Sequence, residues 1–140
     1  MDKPTTTGSI MTDMKHNDAH AKYGEFLDFC MSELKINAVI IDLEPTSVEE
    51  WGHDHAEAYC GEGDMFGPLR VFEIEYLETL ESDFTAFHKM IAHELTHVMQ
   101  CLRGDVFRYD MPYEKQPHEI EAYAMQEVLW QKWLTKGYSN

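Results

Sequence analysis

The sequence has few basic residues and no long apolar run, and each shortage excludes a class of partner. Only 11 Lys and Arg stand against 26 Asp and Glu, which gives a formal net charge of −15. Such a surface repels phosphate backbones and anionic lipid headgroups, so we expect neither a nucleic acid nor a membrane as a partner. A transmembrane helix needs about 18 or more consecutive apolar residues, and no such stretch occurs.

Cysteine is also scarce, with three residues at wide spacings, Cys30, Cys60 and Cys101. An odd number at such spacings predicts neither a disulfide framework nor a pair of metal-binding knuckles. The N-terminus lacks the basic region and apolar run of a secretory signal. We therefore expect reduced thiols and a cytoplasmic protein.

The length of the chain favours one folded domain. It has 140 residues, of which 44% are hydrophobic, and this is enough apolar surface for a single core. Residues 1–18 contain Pro4, Gly8 and a threonine run without any apolar period. This composition predicts a flexible leader over residues 1–18 and a folded domain over residues 19–140.

Three strands are predicted in the first half of the domain. Residues 36–43 form a nearly continuous β-branched run that Pro45 is expected to stop, which is typical of a strand covered on both faces. The glycine-rich stretch that follows predicts loops with one short strand around residues 56–60. In residues 70–77 apolar and acidic residues alternate, which predicts a half-exposed or edge strand.

Three helices accompany these strands. Apolar residues at three- and four-residue steps predict an amphipathic helix over residues 19–35. A long helix is expected to begin after Ser82 or Asp83 and to end near residue 102, and a last helix covers residues 117–136. Together these elements predict a single α+β domain.

The long helix contains His93, Glu94 and His97 in an HExxH pattern. A four-residue step leaves the two imidazoles about 40° apart on one face, so both can reach one ion. Glu94 lies about 100° from His93, within reach of a metal-bound water, which is the place of a general base. The apolar residues of the helix gather on the opposite side: Phe84, Phe87, Ile91, Leu95, Val98 and Leu102. The alternative is a pair of structural histidines.

A catalytic zinc usually has three protein ligands, so one more must come from elsewhere. Glu119 shares one face of the last helix with an inward-looking seam, Tyr123, Gln126, Trp130 and Trp133. Glu121 lies about 200° away on a regular helix and would face elsewhere. Helical phase therefore favours Glu119 as the third ligand. The alternative is a first-turn carboxylate that complements the helix dipole.

In these motifs the sequence resembles the gluzincins, zinc metallopeptidases in which a helical HExxH is followed by a helix that donates a glutamate. The matching residues are His93, Glu94, His97 and Glu119. Small single-domain members, the minigluzincins and similar phage-type or bacterial domains, are similar in size and in element order over residues 36–136. One departure is Tyr123, because related helices often carry Asp or Asn four residues after the ligand glutamate.

The resemblance implies a zincin-like fold, in which a small mixed sheet packs on an active-site helix and a C-terminal glutamate helix. It implies zinc held by His93, His97 and Glu119, with Glu94 deprotonating a zinc-bound water that attacks a scissile peptide carbonyl. In zincins the edge strand ahead of the active helix binds extended substrate, and residues 70–77 occupy that place in the order.

An oxyanion partner is expected in or beside the connection between the two helices, where Tyr109, Tyr113 and His118 occur. A donor from this region would stabilise the tetrahedral oxygen. The alternative for each tyrosine is a half-buried ring with its hydroxyl at the surface.

The remaining histidines are weaker candidates. They are His16 and His20, which repeat the four-residue spacing in the leader, the loop pair His53 and His55, and His88, which is out of phase with His93. Glutamates at 73, 75, 78 and 81 are expected to be a solvated face that favours basic peptides. The rival functions are a catalytically silent zinc-binding module and an acidic interaction or inhibitor protein.

Overall fold

A computed structural model describes residues 10–12, 23–52 and 56–136 of the chain, the first of these through their backbone. The part described is an α+β domain, as predicted. Its elements in chain order are β1 (Ile10–Thr12), α1 (Tyr23–Glu33), β2 (Val39–Thr46), β3 (Ala58–Glu62), β4 (Arg70–Leu77), α2 (Phe84–Arg103) and α3 (Pro117–Thr135). β1 falls within the segment predicted as a leader, most of which lies outside the described residues.

The four strands form one mixed sheet in the order β1-β2-β4-β3. β2 is parallel to both β1 and β4, and β3 is antiparallel to β4. The prediction of β4 as an edge strand is therefore wrong, because β4 pairs on both sides. Its alternation shows only that one face of the strand is covered, since Phe72, Ile74 and Tyr76 are buried. An interior strand with one covered face has the same alternation. Among the described residues β3 has a strand on one side only.

The predicted stop of β2 at Pro45 is also wrong. β2 continues to Thr46, and Pro45 lies opposite Tyr76 of β4. β1, on the other side of β2, pairs with it only as far as Leu43. Beyond Leu43, β2 is therefore paired only with β4 among the described residues. A proline is tolerated at such a half-paired position because no ladder on that side needs its missing N–H. The predicted burial on both faces holds for the first part of β2, Val39 to Ile41.

The main core lies between the covered face of the sheet and the helices, with buried residues from β2, β4, α1, α2 and α3. Phe26 is fully buried and makes edge-on contacts with Trp133 and Trp130 at ring-centroid distances of 5.1 and 5.8 Å. Burying such a side chain contributes about 1.5–3 kcal/mol. His88 belongs to this core, where its Nδ1 lies 2.8 Å from the carbonyl oxygen of Phe84. His88 therefore lies apart from the metal-binding pair, as helical phase predicted.

The ends of α2 and α3 follow the predicted signals. The Asp83 carboxylate accepts a hydrogen bond from the backbone N–H of Ala86 at 3.1 Å and caps α2. Gly104 ends the helix at a φ of 87°, a conformation that other residues rarely adopt. α3 begins at Pro117.

Two further findings concern the cysteines and the character of the helices. Cys30, Cys60 and Cys101 are free thiols, as predicted, while the cytoplasmic location stays a prediction. In the described part of the chain, no helix combines the length and the apolar character needed to cross a bilayer.

Candidate metal centre

The centre is formed by two helices that meet at a polar contact. His93 and His97 lie one turn apart on α2, and Glu119 lies in the first turn of α3. Glu119 Oε1 is 3.0 Å from His93 Nε2 and 3.3 Å from His97 Nε2. The three ligand atoms lie within 4.8 Å of one another, so this group can hold a metal ion.

Glu121, the alternative that helical phase disfavoured, lies outside this group. Its carboxylate accepts hydrogen bonds from Gln100 at 2.9 Å and from Arg103 at 2.7 Å. The bond from Arg103 is the main reason that the pKa of Glu121 is below its usual value.

The outer nitrogen of His97 is held by Gln100. His97 Nδ1 lies 2.8 Å from Gln100 Oε1, and Gln100 Nε2 donates to the backbone carbonyl of His118 at 2.9 Å. A carbonyl only accepts hydrogen bonds, so the orientation of the amide is set and its oxygen faces His97. His97 Nδ1 must therefore be the donor of this pair, which leaves the lone pair of a neutral ring on Nε2.

His93 is oriented in a similar way from α3. Its Nδ1 lies 2.8 Å from Gln126 Oε1, and Gln126 Nε2 donates to Glu127 Oε2 at 3.2 Å. Tyr123 places its ring edge-on to His93 at 4.5 Å between centroids. Gln126 therefore provides the hydrogen bond to His93 that the side chain at position 123 does not provide.

Neither glutamine was recognised as a site residue from the sequence, although each carries a positional signal. Gln100 lies three residues after His97, and Gln126 lies seven residues after Glu119, so each shares a helix face with a ligand. That signal is weak without knowing how α2 and α3 dock.

The two histidines and the carboxylate shift one another's pKa values. Burial alone would raise the pKa of Glu119, but hydrogen bonds and charge from His93 and His97 outweigh it and lower the pKa well below its usual value. For His97, burial would lower the pKa, while the carboxylates of Glu119 and Glu94 raise it above its usual value. The carboxylate thus stays ionised against two nitrogen atoms.

Glu94 lies beside this group without belonging to it. Its side chain is 6% exposed, and burial raises its pKa above the usual range, with His93 and His97 opposing the shift. A carboxylate with a raised pKa takes up a proton more readily at neutral pH than an ordinary one. This environment fits the general-base role that the motif predicts.

A cleft of about 500 Å³ opens next to His93 and Glu94. One wall is formed by Ala58, at the start of β3, and by Glu57 just before it. α3 and the connection before it form the other wall, and Leu80, Ala86 and Met90 contribute apolar surface. Tyr113, Tyr123 and Gln126 line the α3 side.

The three candidate oxyanion donors have different positions. The Tyr113 hydroxyl donates to Glu119 Oε1 at 3.2 Å and lies 3.0 Å from the Tyr123 hydroxyl. His118 stacks on Phe107 at 4.5 Å, on the His97 side of the group. Tyr109 is 72% exposed and packs edge-on against the rings of His118 and Phe107. Tyr113 is thus the candidate whose hydroxyl reaches the centre.

The other candidates are not brought to this cleft. Glu73 and Glu75 line a separate depression on the sheet with Asp42 and Glu44. The pairs His16 with His20 and His53 with His55 lie outside the described residues.

The group of His93, His97 and Glu119 is defined by its own geometry, with three ligand atoms from two helices converging on one point. Its surroundings supply a buried carboxylate and an open cleft. No protein-family model, curated protein or solved structure matches the chain.

Proposed function

We propose that the protein is a zinc-dependent peptide hydrolase in which His93, His97 and Glu119 hold the metal and Glu94 is the general base. One observation carries the proposal. The Nδ1 of each histidine is engaged by a glutamine, so both Nε2 atoms turn toward the same ionised carboxylate. A shared cation would bind the carboxylate and would let both rings be neutral and present their Nε2 lone pairs to it.

The donor set fits zinc. Two imidazole nitrogens and one carboxylate oxygen are the ligands of a catalytic zinc, which keeps a further position for water or substrate. Each histidine has a hydrogen-bonded outer nitrogen, as metal-ligating histidines almost always do. A zinc ion held here would act as a Lewis acid and lower the pKa of a water molecule to about 7.

Glu94 supplies the proton transfer. Its carboxylate is buried beside the two histidines and lines the cleft, within the region where an attacking water must lie. It would accept the proton of that water as the oxygen attacks the carbonyl carbon, and pass it to the amine that leaves when the C–N bond breaks. Its raised pKa makes acceptance of the water proton easier than for a solvated glutamate.

The edge of β3 that has no neighbouring strand among the described residues supports binding of an extended peptide. Glu57 and Gly63 flank β3. Leu77 N–H donates to the Glu57 carbonyl and Gly63 N–H to the Val71 carbonyl, so the odd-numbered positions direct their backbone groups toward β4. By the two-residue alternation of an antiparallel pair, Ala58 and Cys60 direct their backbone groups away from β4. An added strand would pair there, so β3, rather than β4 as the sequence analysis expected, is the proposed substrate strand.

Charge in the cleft supports a preference for basic peptides. Glu57 and Glu94 line it, and Lys89, the cation among its described lining residues, is paired with Glu127 at 2.9 Å. This preference now rests on the cleft itself, since Glu73 and Glu75 lie elsewhere on the sheet.

Tyr113 is the proposed oxyanion donor. Its hydroxyl already donates to Glu119 Oε1, so a small rotation would direct it to an oxygen developing on the scissile carbon near the metal. A mixed sheet whose antiparallel edge strand contacts the HExxH helix also supports the resemblance to gluzincins.

The test is zinc-dependent cleavage of a peptide library by the full chain and by Glu94→Gln. We expect the wild type to cleave, and the variant to bind zinc equally while losing cleavage by a factor of about 10²–10⁴, the usual contribution of general-base catalysis. The matched control is Glu25→Gln, an exposed residue of α1 that does not line the cleft.

Equal cleavage by Glu94→Gln would refute the base. Zinc binding without any cleavage by the wild type would instead favour the rival zinc-binding module. A folded protein that takes up no zinc would favour an acidic interaction or inhibitor protein.

A further inference from the structure

We infer that Gln100 and Gln126 are positioning residues that set the tautomers of the two metal-binding histidines, and that Gln100 also docks the turn of α3 that carries Glu119. The inference rests on the proposed metal centre and is independent of peptide hydrolysis. No proton transfer or charge is assigned to either amide.

Gln100 is fully buried and all of its polar atoms are engaged. Its Nε2 donates to the carbonyl oxygen of His118 and to the carboxylate of Glu121, each at 2.9 Å. Both partners only accept hydrogen bonds, so a flipped amide would place oxygen against two oxygen atoms. The single allowed orientation presents Oε1 to His97 and requires a proton on its Nδ1.

The two α3 partners of Gln100 enclose the third ligand. His118 and Glu121 lie one residue before and two residues after Glu119. One side chain of α2 therefore orients His97 and holds the first turn of α3, so two ligands from separate helices depend on one amide. An apolar residue at position 100 would leave the His97 Nδ1 and a backbone carbonyl without their partner in a buried place.

Gln126 has a narrower task. It contacts one ligand, His93, and its Nε2 reaches the exposed carboxylate of Glu127 at the longer distance of 3.2 Å. A carboxylate at position 126 would still accept from His93 Nδ1. A carboxylate at position 100 would face the His118 carbonyl and Glu121 and would be repelled by both.

The two positions should therefore respond in opposite ways to glutamate. We expect Gln126→Glu to keep zinc affinity within about threefold of the wild type, because outer-sphere carboxylates serve the same purpose. Gln100→Glu should lose affinity, and so should Gln100→Leu and Gln126→Leu, by about 10–100-fold as is usual for outer-sphere partners. The larger loss is expected at position 100.

The experiment measures zinc affinity of the full chain by competition with a chromophoric chelator. Thr96→Val is the matched control, since it removes another buried hydrogen bond of α2, in which the Thr96 hydroxyl donates to the Ala92 carbonyl and not to a histidine or Glu119. A role in packing alone would make this control and Gln100→Leu lose affinity alike. Gln100→Glu and Gln126→Leu keep the test available if Gln100→Leu does not fold.

A second readout follows the tautomers themselves. Long-range 1H–15N NMR spectra of the metal-free wild type should show His97 protonated at Nδ1, and Gln100→Leu should show a mixture of tautomers. Affinity unchanged in Gln100→Leu, or tautomers unchanged by it, would overturn the inference while leaving the metal centre intact. Absence of zinc binding by the wild type would overturn the metal centre and the inference together.

Discussion

The two faces of α2 are both buried, yet they are built on different principles. One face consists of Phe87, Ile91, Leu95 and Val98, which pack into the core with no measurable exposure. The opposite face carries His93, His97 and Gln100, which meet α3 through polar contacts. The stability that the apolar face contributes is shared among many packing contacts, whereas the polar face depends on the positions of a few hydrogen-bonding atoms. Stability and chemistry are therefore expected to separate by face.

The largest effect on stability is expected on the apolar face, at Leu95. Leu95→Ala removes a fully buried side chain and leaves a cavity, which costs about 2–5 kcal/mol of the free energy of unfolding. Urea unfolding would measure the loss, and zinc affinity of the folded variant should stay close to that of the wild type. A variant with unchanged stability but no zinc binding would break the comparison.

A comparable but conditional effect is expected on the polar face. Zinc at a hundred times its dissociation constant should stabilise the wild type by about 2.7 kcal/mol, because only the folded chain presents the three ligands together. Glu119→Gln should abolish this gain and remain folded without zinc. Thermal unfolding with zinc and with a chelator measures both, and an equal gain in Glu119→Gln would remove that residue from the ligand set.

A smaller effect is expected at the start of α2, which serves both faces. Asp83→Ala removes the side-chain acceptor of the Ala86 N–H and should cost about 1 kcal/mol. Asp83→Asn keeps an acceptor and is the control. Both variants should bind zinc like the wild type, since the cap lies more than two turns before His93. Reduced zinc binding in Asp83→Ala alone would show that fraying of α2 reaches the ligands.

The smallest effect is expected far from both faces, at the pair of Lys132 with Glu33. An exposed ion pair contributes about 0.2–1 kcal/mol, so Lys132→Ala should barely change unfolding. The hydrogen bond from Lys132 is the main reason that the pKa of Glu33 is below its usual value. The contribution is therefore present above the ordinary pKa of about 4.3 and is lost as the pH falls. If the difference in the free energy of unfolding between wild type and Lys132→Ala stayed the same at low pH, this ion pair would not be its source.

The same contrast explains how much could be predicted from the sequence. The period of Phe87, Ile91, Leu95 and Val98 is a local property of the chain, so α2 and its buried face were predictable. The phase of Glu119 was also local, and it led to the correct side of α3. These residues are positioned mainly by the helix to which they belong.

Other features depend on partners that are distant in sequence. The alternation of β4 shows one buried face but cannot show that β3 pairs on its other side. The strand through Pro45 depends on where β1 ends. Gln100 and Gln126 acquire their roles only when α2 and α3 dock, and glutamine has no residue-type signal for such a role. The sequence thus predicts ligands more readily than the groups that orient them.

The most direct test of the metal centre is a crystal structure of the zinc-loaded protein with anomalous diffraction recorded at the zinc edge. The account predicts one strong peak about 2.0–2.2 Å from His93 Nε2, His97 Nε2 and a Glu119 oxygen, with both Nδ1 atoms on glutamine oxygens. A peak elsewhere, or imidazoles turned away from Glu119 in a zinc-saturated crystal, would contradict it.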